Sequence, residues 1–211
     1  KPYRKKVSDE SNTLLSETTT AYTDDIDGMA PFFAPLAQVD SSIYDGDSSS
    51  LDTRTRYLFD QYGNLDTEYR DGDISITSDD STLKKEYALN TSDHILALLT
   101  KETLYEGSGT GGAKKSQVDY YYDGPADCSS AATSQYPVKG NLSRIVRWLY
   151  VKTTGTPSDP EVWMGYDTYG NLSCSVDANG NLSTILYDSS DTFTVTETNA
   201  AGHQTTTSYY G

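Results

Sequence analysis

The sequence predicts an all-β chain, a curved antiparallel sheet built of consecutive β-hairpins. Three observations carry this expectation. Apolar and polar residues alternate with period two in short runs, as where Leu172, Cys174 and Val176 face away from Ser173 and Ser175. Clusters of Gly, Asn and Asp separate these runs at hairpin intervals. The 211 residues include 18 Tyr and 27 Thr, types that favour strands. Leu, Ile, Val and Phe supply only 37 of the 211, about 17.5%. With a formal charge of −15, that deficit matches disordered chains, but disordered chains are poor in aromatics. The expectation is therefore a β-protein without an ordinary two-layer core.

In chain order, strands are expected near Leu14–Thr23, Phe33–Tyr44, Thr53–Phe59, Leu65–Tyr69, Thr82–Leu89, Leu98–Tyr105, Ser116–Asp123 and Leu142–Val151. The clearest stretch then runs through Val162–Asp167, Leu172–Val176, Leu182–Tyr187, Thr192–Thr198 and Gln204–Tyr210, about a dozen strands in all. Loops are marked at Asp45-Gly46-Asp47-Ser48, Asp71-Gly72-Asp73, Gly107–Gly112, Pro125–Pro137 and Gly155–Pro160. Asn179-Gly180 between alternating runs predicts a type I′ turn, with positive φ at both residues. One short helical turn is expected, capped by Ser92 and running through His94, Ile95 and Leu96. Residues 1–50 read as a β segment preceding the repeats, and 51–211 as a hairpin-repeat segment continuous with it.

Composition narrows the function. The acidity, with 31 Asp+Glu against 16 Lys+Arg, argues against nucleic acid, which needs a basic stripe. The cluster Arg4, Lys5 and Lys6 reads as a solvated end. No run approaches the roughly 18 apolar residues of a membrane span. The chain opens Lys1-Pro2-Tyr3 with no signal or transit peptide and reads as a segment of a longer polypeptide. Cys128 and Cys174 read as two unpaired thiols; one disulfide is open to them but not implied by the spacing. With His94 and His203 they make no zinc-ligand pattern.

No residue reads as catalytic and no cofactor or metal is expected. Asp177, Asn179, Asn181 and Asp188 echo a calcium loop, but Gly180 falls at the fourth position where the sixth is required. No Ser-His-Asp order is recognisable. Acidic pairs such as Asp24-Asp25 and Asp79-Asp80 follow from composition and turn chemistry. The acceptor patterns at Asn90, Asn141, Asn171 and Asn181 read as turns, not glycosylation sites. The aromatic series Tyr57, Phe59, Tyr62, Tyr69, Tyr120–Tyr122, Trp148, Tyr150, Trp163, Tyr166, Tyr169 and Tyr187 reads as cross-strand stacking in preference to a sugar-binding surface.

A phrase recurs along the chain. Phe59-Asp60-Gln61-Tyr62-Gly63-Asn64-Leu65 nearly repeats as Tyr166-Asp167-Thr168-Tyr169-Gly170-Asn171-Leu172. Val176-Asp177-Ala178-Asn179-Gly180-Asn181-Leu182 is a third copy, and Thr198-Asn199-Ala200-Ala201-Gly202-His203-Gln204 a degenerate fourth. Tyr122-Asp123 and Gly140-Asn141-Leu142 read as a fifth, split by the Pro125–Pro137 insertion. The physical reading is that Asp bonds turn amides, Gly supplies positive φ, and Leu restarts the next strand pointing inward.

This phrase resembles the YD repeat of the RHS-repeat family. Together with Ser42-Ile43-Tyr44-Asp45-Gly46, Thr55-Arg56-Tyr57-Leu58 and Asp119-Tyr120-Tyr121-Tyr122-Asp123-Gly124, the layout from about Thr18 to Gly211 is similar to one region of it. That region is the middle-to-RHS part of insecticidal toxin-complex B components and SpvB-like proteins. The resemblance implies a spiral shell of continuous sheet enclosing a toxic polypeptide, and a secreted or cell-surface bacterial parent with a virulence role. Its implied partners are the rest of the parent shell, the enclosed toxin and other toxin-complex components, with edge-strand self-association of the segment. The family's self-cleaving Asp-Pro core is not matched, since Asp159-Pro160 sits in a Thr/Gly/Pro/Ser loop. The expected function is structural and non-enzymatic. Two rivals stand beside it: an extracellular glycan-binding adhesion module, and a β-solenoid polysaccharide-active enzyme, which predicts parallel coils.

Overall fold

The computed structural model describes residues 2–23, 34–46, 49–149 and 159–209. Fourteen strands account for its regular structure: β1 (Tyr3–Ser8), β2 (Leu14–Tyr22), β3 (Leu36–Tyr44), β4 (Ser50–Phe59), β5 (Leu65–Asp73), β6 (Ser81–Tyr87), β7 (Leu99–Glu106) and β8 (Lys114–Tyr122). They continue with β9 (Leu142–Arg147), β10 (Glu161–Tyr166), β11 (Leu172–Val176), β12 (Leu182–Tyr187), β13 (Thr194–Thr198) and β14 (Gln204–Thr206). Neighbours in the sheet follow sequence order from β1 to β14, and the registered pairs are antiparallel. The all-β sheet of consecutive hairpins expected from the sequence is the fold found. The parallel coil of a solenoid enzyme is not present among the described residues.

Several expectations need correction. β1 was not anticipated, because Arg4, Lys5 and Lys6 mask its alternation; Arg4 and Lys6 project to one face, where both reach Glu17. The strand expected from Thr192 begins at Thr194, since Thr192 and Phe193 give their amides to Asp188. The helical turn at Ser92 is absent. His94 has φ +56°, incompatible with a right-handed helix, and Asn90 and Ile95 instead form an antiparallel bridge. Phe33, Asp24-Asp25, Asp47-Ser48, Tyr150-Val151, Gly155–Ser158 and Tyr210 lie outside the described residues.

Two compact units divide the chain, one of residues 1–86 and 102–116, the other of 87–101 and 117–211. In the first unit the two faces of the sheet differ in chemistry. The registers put Thr18, Ser41 and Thr53 in one row and Thr20, Val39 and Thr55 in the next, a face of hydroxyls and methyls. The opposite face carries ion pairs: Arg4 and Lys6 on Glu17, Arg54 on Asp40 at 2.6 Å, and Arg56 on Asp71. Arg56 is bidentate, with Nε 3.0 Å and one terminal nitrogen 2.9 Å from the Asp71 carboxylate, and its guanidinium lies 4.7 Å over the Tyr69 ring. Exposed pairs contribute about 0.2–1 kcal/mol each, so the face is held by their number and by the bidentate, ring-stacked Arg56.

Buried positions are small or polar. Thr67, Thr82 and Thr103 on β5, β6 and β7 are buried in the first unit. Among the described residues the buried Ala, Tyr and Cys side chains, Ala88, Tyr122, Cys128, Ala132 and Cys174, belong to the second. Thr82 is 0% exposed and does double duty, its hydroxyl donating to Gly107 O at 2.9 Å and accepting from Gly109 N at 2.7 Å. Thr82→Val should leave both backbone groups without their partner and cost about 1–3 kcal/mol. Urea titration measures that loss, and faster amide exchange at Gly109 would localise it.

Candidate functional site: carboxylate-clasped turns and a strapped sheet face

The recurring phrase folds into one recurring turn. In the copies at Asp60, Asp167 and Asp177, carboxylate Oδ1 accepts two backbone amides, from the second and fourth residues onward, at 2.8–2.9 Å. Oδ2 accepts the side-chain amide of Asn64, Asn171 or Asn181 at 2.9–3.0 Å. The backbone closes on itself as well, Gly180 N donating to Asp177 O and Asp177 N to Asn181 O. Gly63, Gly170 and Gly180 take φ of +85°, +89° and +83°. Asn179 does not have positive φ, so the expected type I′ turn is replaced by a longer loop closed by one left-handed glycine. The carboxylate explains the difference: it needs the amides of residues two and four positions on, which a two-residue loop does not offer.

The same clasp occurs where the phrase is degraded. Asn199 takes the place of Asp, its Oδ1 accepting Ala201 N and His203 N at 3.0 Å. His203 then receives the side-chain amide of Asn199 at Nδ1, 3.4 Å away, reversing the donor direction of the other copies. Asp123 closes the split copy, with Oδ1 on Asn141 N and Oδ2 on Val138 N and Lys139 N. The structure thereby brings Tyr122, Asp123, Gly140 and Asn141 together across the insertion, and Gly140 has φ +89°. Two further copies escaped sequence reading. Asp9 clasps Ser11 N and Thr13 N, and Asp188 clasps Thr192 N and Phe193 N. Their left-handed positions are Asn12 at φ +63° and Asp191 at φ +53°, so no glycine advertised them. Turns also touch: Asn171 Nδ2 donates to Asp191 O at 2.8 Å.

These bonds set the carboxylate chemistry. The side chain and amide of Asn181 hold Asp177 below the usual carboxylate range. Partial desolvation pulls Asp167 upward but is outweighed by the Asn171 amide and side chain, leaving it lowered. The Ser190 hydroxyl, with the Phe193 and Thr192 amides, brings Asp188 down to about 2. Acceptors committed in this way are poor calcium ligands, and among the described residues no three His, Cys, Asp or Glu side chains cluster for a metal. The leucine after each turn varies: Leu65, Leu142 and Leu172 are half-buried, but Leu182 is exposed, against the inward orientation expected.

The second feature is the insertion between β8 and β9. Cys128 and Cys174, read as free thiols, form a disulfide with Cα atoms 6.2 Å apart. Their separation of 46 residues concealed it, because the insertion folds back over β11 instead of pairing with a neighbour in sequence. Gly165 lies beneath: a Cβ there would stand 2.5 Å from Cys174 Sγ and 2.6–2.7 Å from the carbonyl oxygens of Ala126 and Pro125. Arg144 on β9 donates to Glu161 through Nε at 2.7 Å, to Ala132 O at 3.3 Å, and lies 4.8 Å over the Tyr121 ring. Asn90, 1% exposed, donates to Pro137 O and Asp93 and accepts Asp93 N, which removes it as a glycosylation acceptor. Tyr122 donates its hydroxyl to Leu99 O at 2.6 Å, and burial pushes it up to about 12.

Aromatic residues are used as platforms. Tyr69 and Tyr121 each carry a guanidinium, and Phe193 packs on Tyr209 with ring centroids 4.7 Å apart. Tyr169 and Tyr62, at turn tips, are exposed. A groove of about 500 Å3 is lined by Trp163, Val176, Pro160, Asp159 and Asp177. Three carboxylates line it and each is engaged, Asp159 by Leu149 N, Glu161 by Arg144 and Asp177 by its own turn.

No family model matches the sequence, and no curated protein matches it. Among solved structures, the chain matches TcdB2-TccC3-Cdc42 at 10% identity and a TM-score of 0.26, with 95% of this chain and 15% of that one covered. It also matches the Photorhabdus luminescens Tc holotoxin pore at 10% identity and a TM-score of 0.25, with the same coverages. TcdB2-TccC3 without its hypervariable C-terminal region gives 10%, 0.25, 95% and 15%. The chain thus spans about 15% of the length of these matched chains.

Two measurements probe the clasp. Nothing stands within 4 Å of a Cβ built on Gly180, so Gly180→Ala should cost about 1 kcal/mol from backbone conformation alone. Gly180→Asn should cost less, both read by thermal unfolding. Asp188, ionised at about 2 in the fold against roughly 3.9 when unfolded, adds stability above pH 4 that disappears as pH falls towards 2. In Asp188→Asn the slope of unfolding free energy against pH should flatten across that window; an unchanged slope would remove Asp188 from the linkage.

Proposed function

We propose that this chain is a structural, non-enzymatic wall segment of an RHS/YD-repeat shell of toxin-complex B-component type. Its task is mechanical containment of a toxic polypeptide within a secreted or surface-exposed bacterial parent. The observation that supports this reading is the combination of one sheet, in strict sequence order, with carboxylate-clasped turns at its hairpins and very little buried apolar surface. Such a sheet grows by adding hairpins without needing a second layer, which suits a wall and not a compact domain. The ion-paired face of the first unit suits a sheet surface that meets water.

The parent polypeptide supplies the test. Proteolysis of the intact parent should spare an internal polypeptide until the sheet is opened by denaturant. Digestion of every segment at one rate would remove the containment reading. The isolated segment offers a second measurement. Its sheet edges carry unused backbone groups, and a charge of −15 opposes their pairing. Screening shrinks from about 10 Å at 0.1 M salt to about 3 Å at 1 M, so sedimentation should reveal association rising with salt. A strict monomer at every concentration and ionic strength would contradict open edges.

A further inference from the structure

We infer that residues 125–131 form a thiol-releasable strap over the sheet face of β9–β11, while the rest of the insertion stays fixed. This inference stands on the insertion's own contacts and does not depend on the shell reading.

The two halves of the insertion are fastened by different chemistry. The later half has many polar anchors distributed over several strands. Ala132 O accepts from Arg144, Ser134 O accepts Tyr122 N at 2.8 Å, and Gln135 donates to Thr100 O at 2.8 Å. Pro137 O accepts from buried Asn90, and Asp123 gathers the amides of Val138, Lys139 and Asn141. The earlier half folds on itself through Cys128 N to Pro125 O and Ser129 N to Asp127 Oδ1. Its ties to the sheet are the disulfide to Cys174 and a hydrogen bond from the Ser173 hydroxyl to Ala126 O. Ala126, Asp127, Ser129 and Ser130 are exposed. One covalent bond therefore does for 125–131 what a network does for 132–141.

The two cysteines are unequally covered, Cys128 being 8% exposed as a residue and Cys174 1%, so attack by an external thiolate is placed at Cys128. Attack forms a mixed disulfide on Cys128 and expels Cys174 as a thiolate, which takes a proton from water. A second thiolate then attacks the external sulfur of that mixed disulfide, freeing Cys128. The net change is two protein thiols gained and one disulfide formed between two molecules of the reductant. Once cut, 125–131 keeps the Ser173 hydroxyl bond and a weak thiol contact from Cys174 Sγ, 3.2 Å from the same Ala126 O, too little to resist local opening. The strap would close in an oxidising medium and lift where thiols are abundant, uncovering Gly165 and Cys174 without dismantling the sheet.

Hydrogen exchange on the folded chain, before and after dithiothreitol, tests this. The hydrogen-bonded amides of Cys128 and Ser129 in the strap should exchange at least tenfold faster after reduction, whereas those of Tyr122, Val138, Lys139 and Asn141 should keep their protection. Mapping with a monothiol, 2-mercaptoethanol, should place the adduct on Cys128 and the free thiol on Cys174. The double variant Cys128→Ser, Cys174→Ser should reproduce the reduced pattern; should it fail to fold, the reduced wild-type chain, prepared from the folded oxidised form, still decides the matter. Unchanged exchange at Cys128 and Ser129 would overturn the strap. So would loss of protection across 122–141 and β9–β11 together, which would make the disulfide a fastening of the whole unit.

Discussion

One interaction underlies this structure: a carboxylate oxygen accepting two backbone amides within a single tight turn. A sheet that buries few aliphatic side chains cannot rely on packing to fix where each strand reverses. The clasp does so locally, satisfying amides that the reversal would otherwise leave to solvent. It also fixes the pairing of the flanking strands, because the turn's geometry decides which residues face each other. The same chemistry accounts for a share of the acidity. Asp9, Asp60, Asp123, Asp167, Asp177 and Asp188 are all turn clasps, so part of the negative charge belongs to the architecture and not to a ligand site.

Part of the remaining negative charge is paired across strands. Glu17, Asp40, Asp71, Glu161 and Glu102 each meet a Lys or Arg. Where the sheet carries a second layer, in the insertion over β9–β11, the covering segment contributes backbone and small residues in place of a leucine core. Gly165 has no side chain because the carbonyl groups of Pro125 and Ala126 lie directly against its strand. Polar contact at short range does here what apolar volume does in a sandwich.

Much of the fold was legible because period-two alternation and the Asp–Gly–Asn phrase are local signals. Even the split copy could be read, since Tyr122-Asp123 and Gly140-Asn141 keep their halves intact on either side of the insertion. The copies at Asp9 and Asp188 were missed because Asn12 and Asp191 take the left-handed conformation in place of glycine, which both residue types tolerate. A search for Asp followed three residues later by Gly, Asn or Asp finds them. The disulfide left no local trace, being a contact between a loop and a strand outside its own hairpin. The supposed helix failed for a similar reason: Asn90 is tied to Pro137, 47 residues away, a partner no window of sequence contains.

Strand order following chain order has a kinetic side. The tight hairpins, such as those at Asp60, Asp167 and Asp177, form in roughly 1–10 μs, whereas synthesis delivers about 5–20 residues per second. Strands joined by such turns can thus find their partners long before the next one exists, laid down in order from the first. The disulfide is the exception. Cys128 precedes Cys174 by 46 residues, so it waits roughly 2–9 s at those rates. No other cysteine in this chain can trap it meanwhile, because there are only two. The insertion is therefore pinned only after the strands beneath it have been made, which gives a chain assembled in sequence one event that must come late.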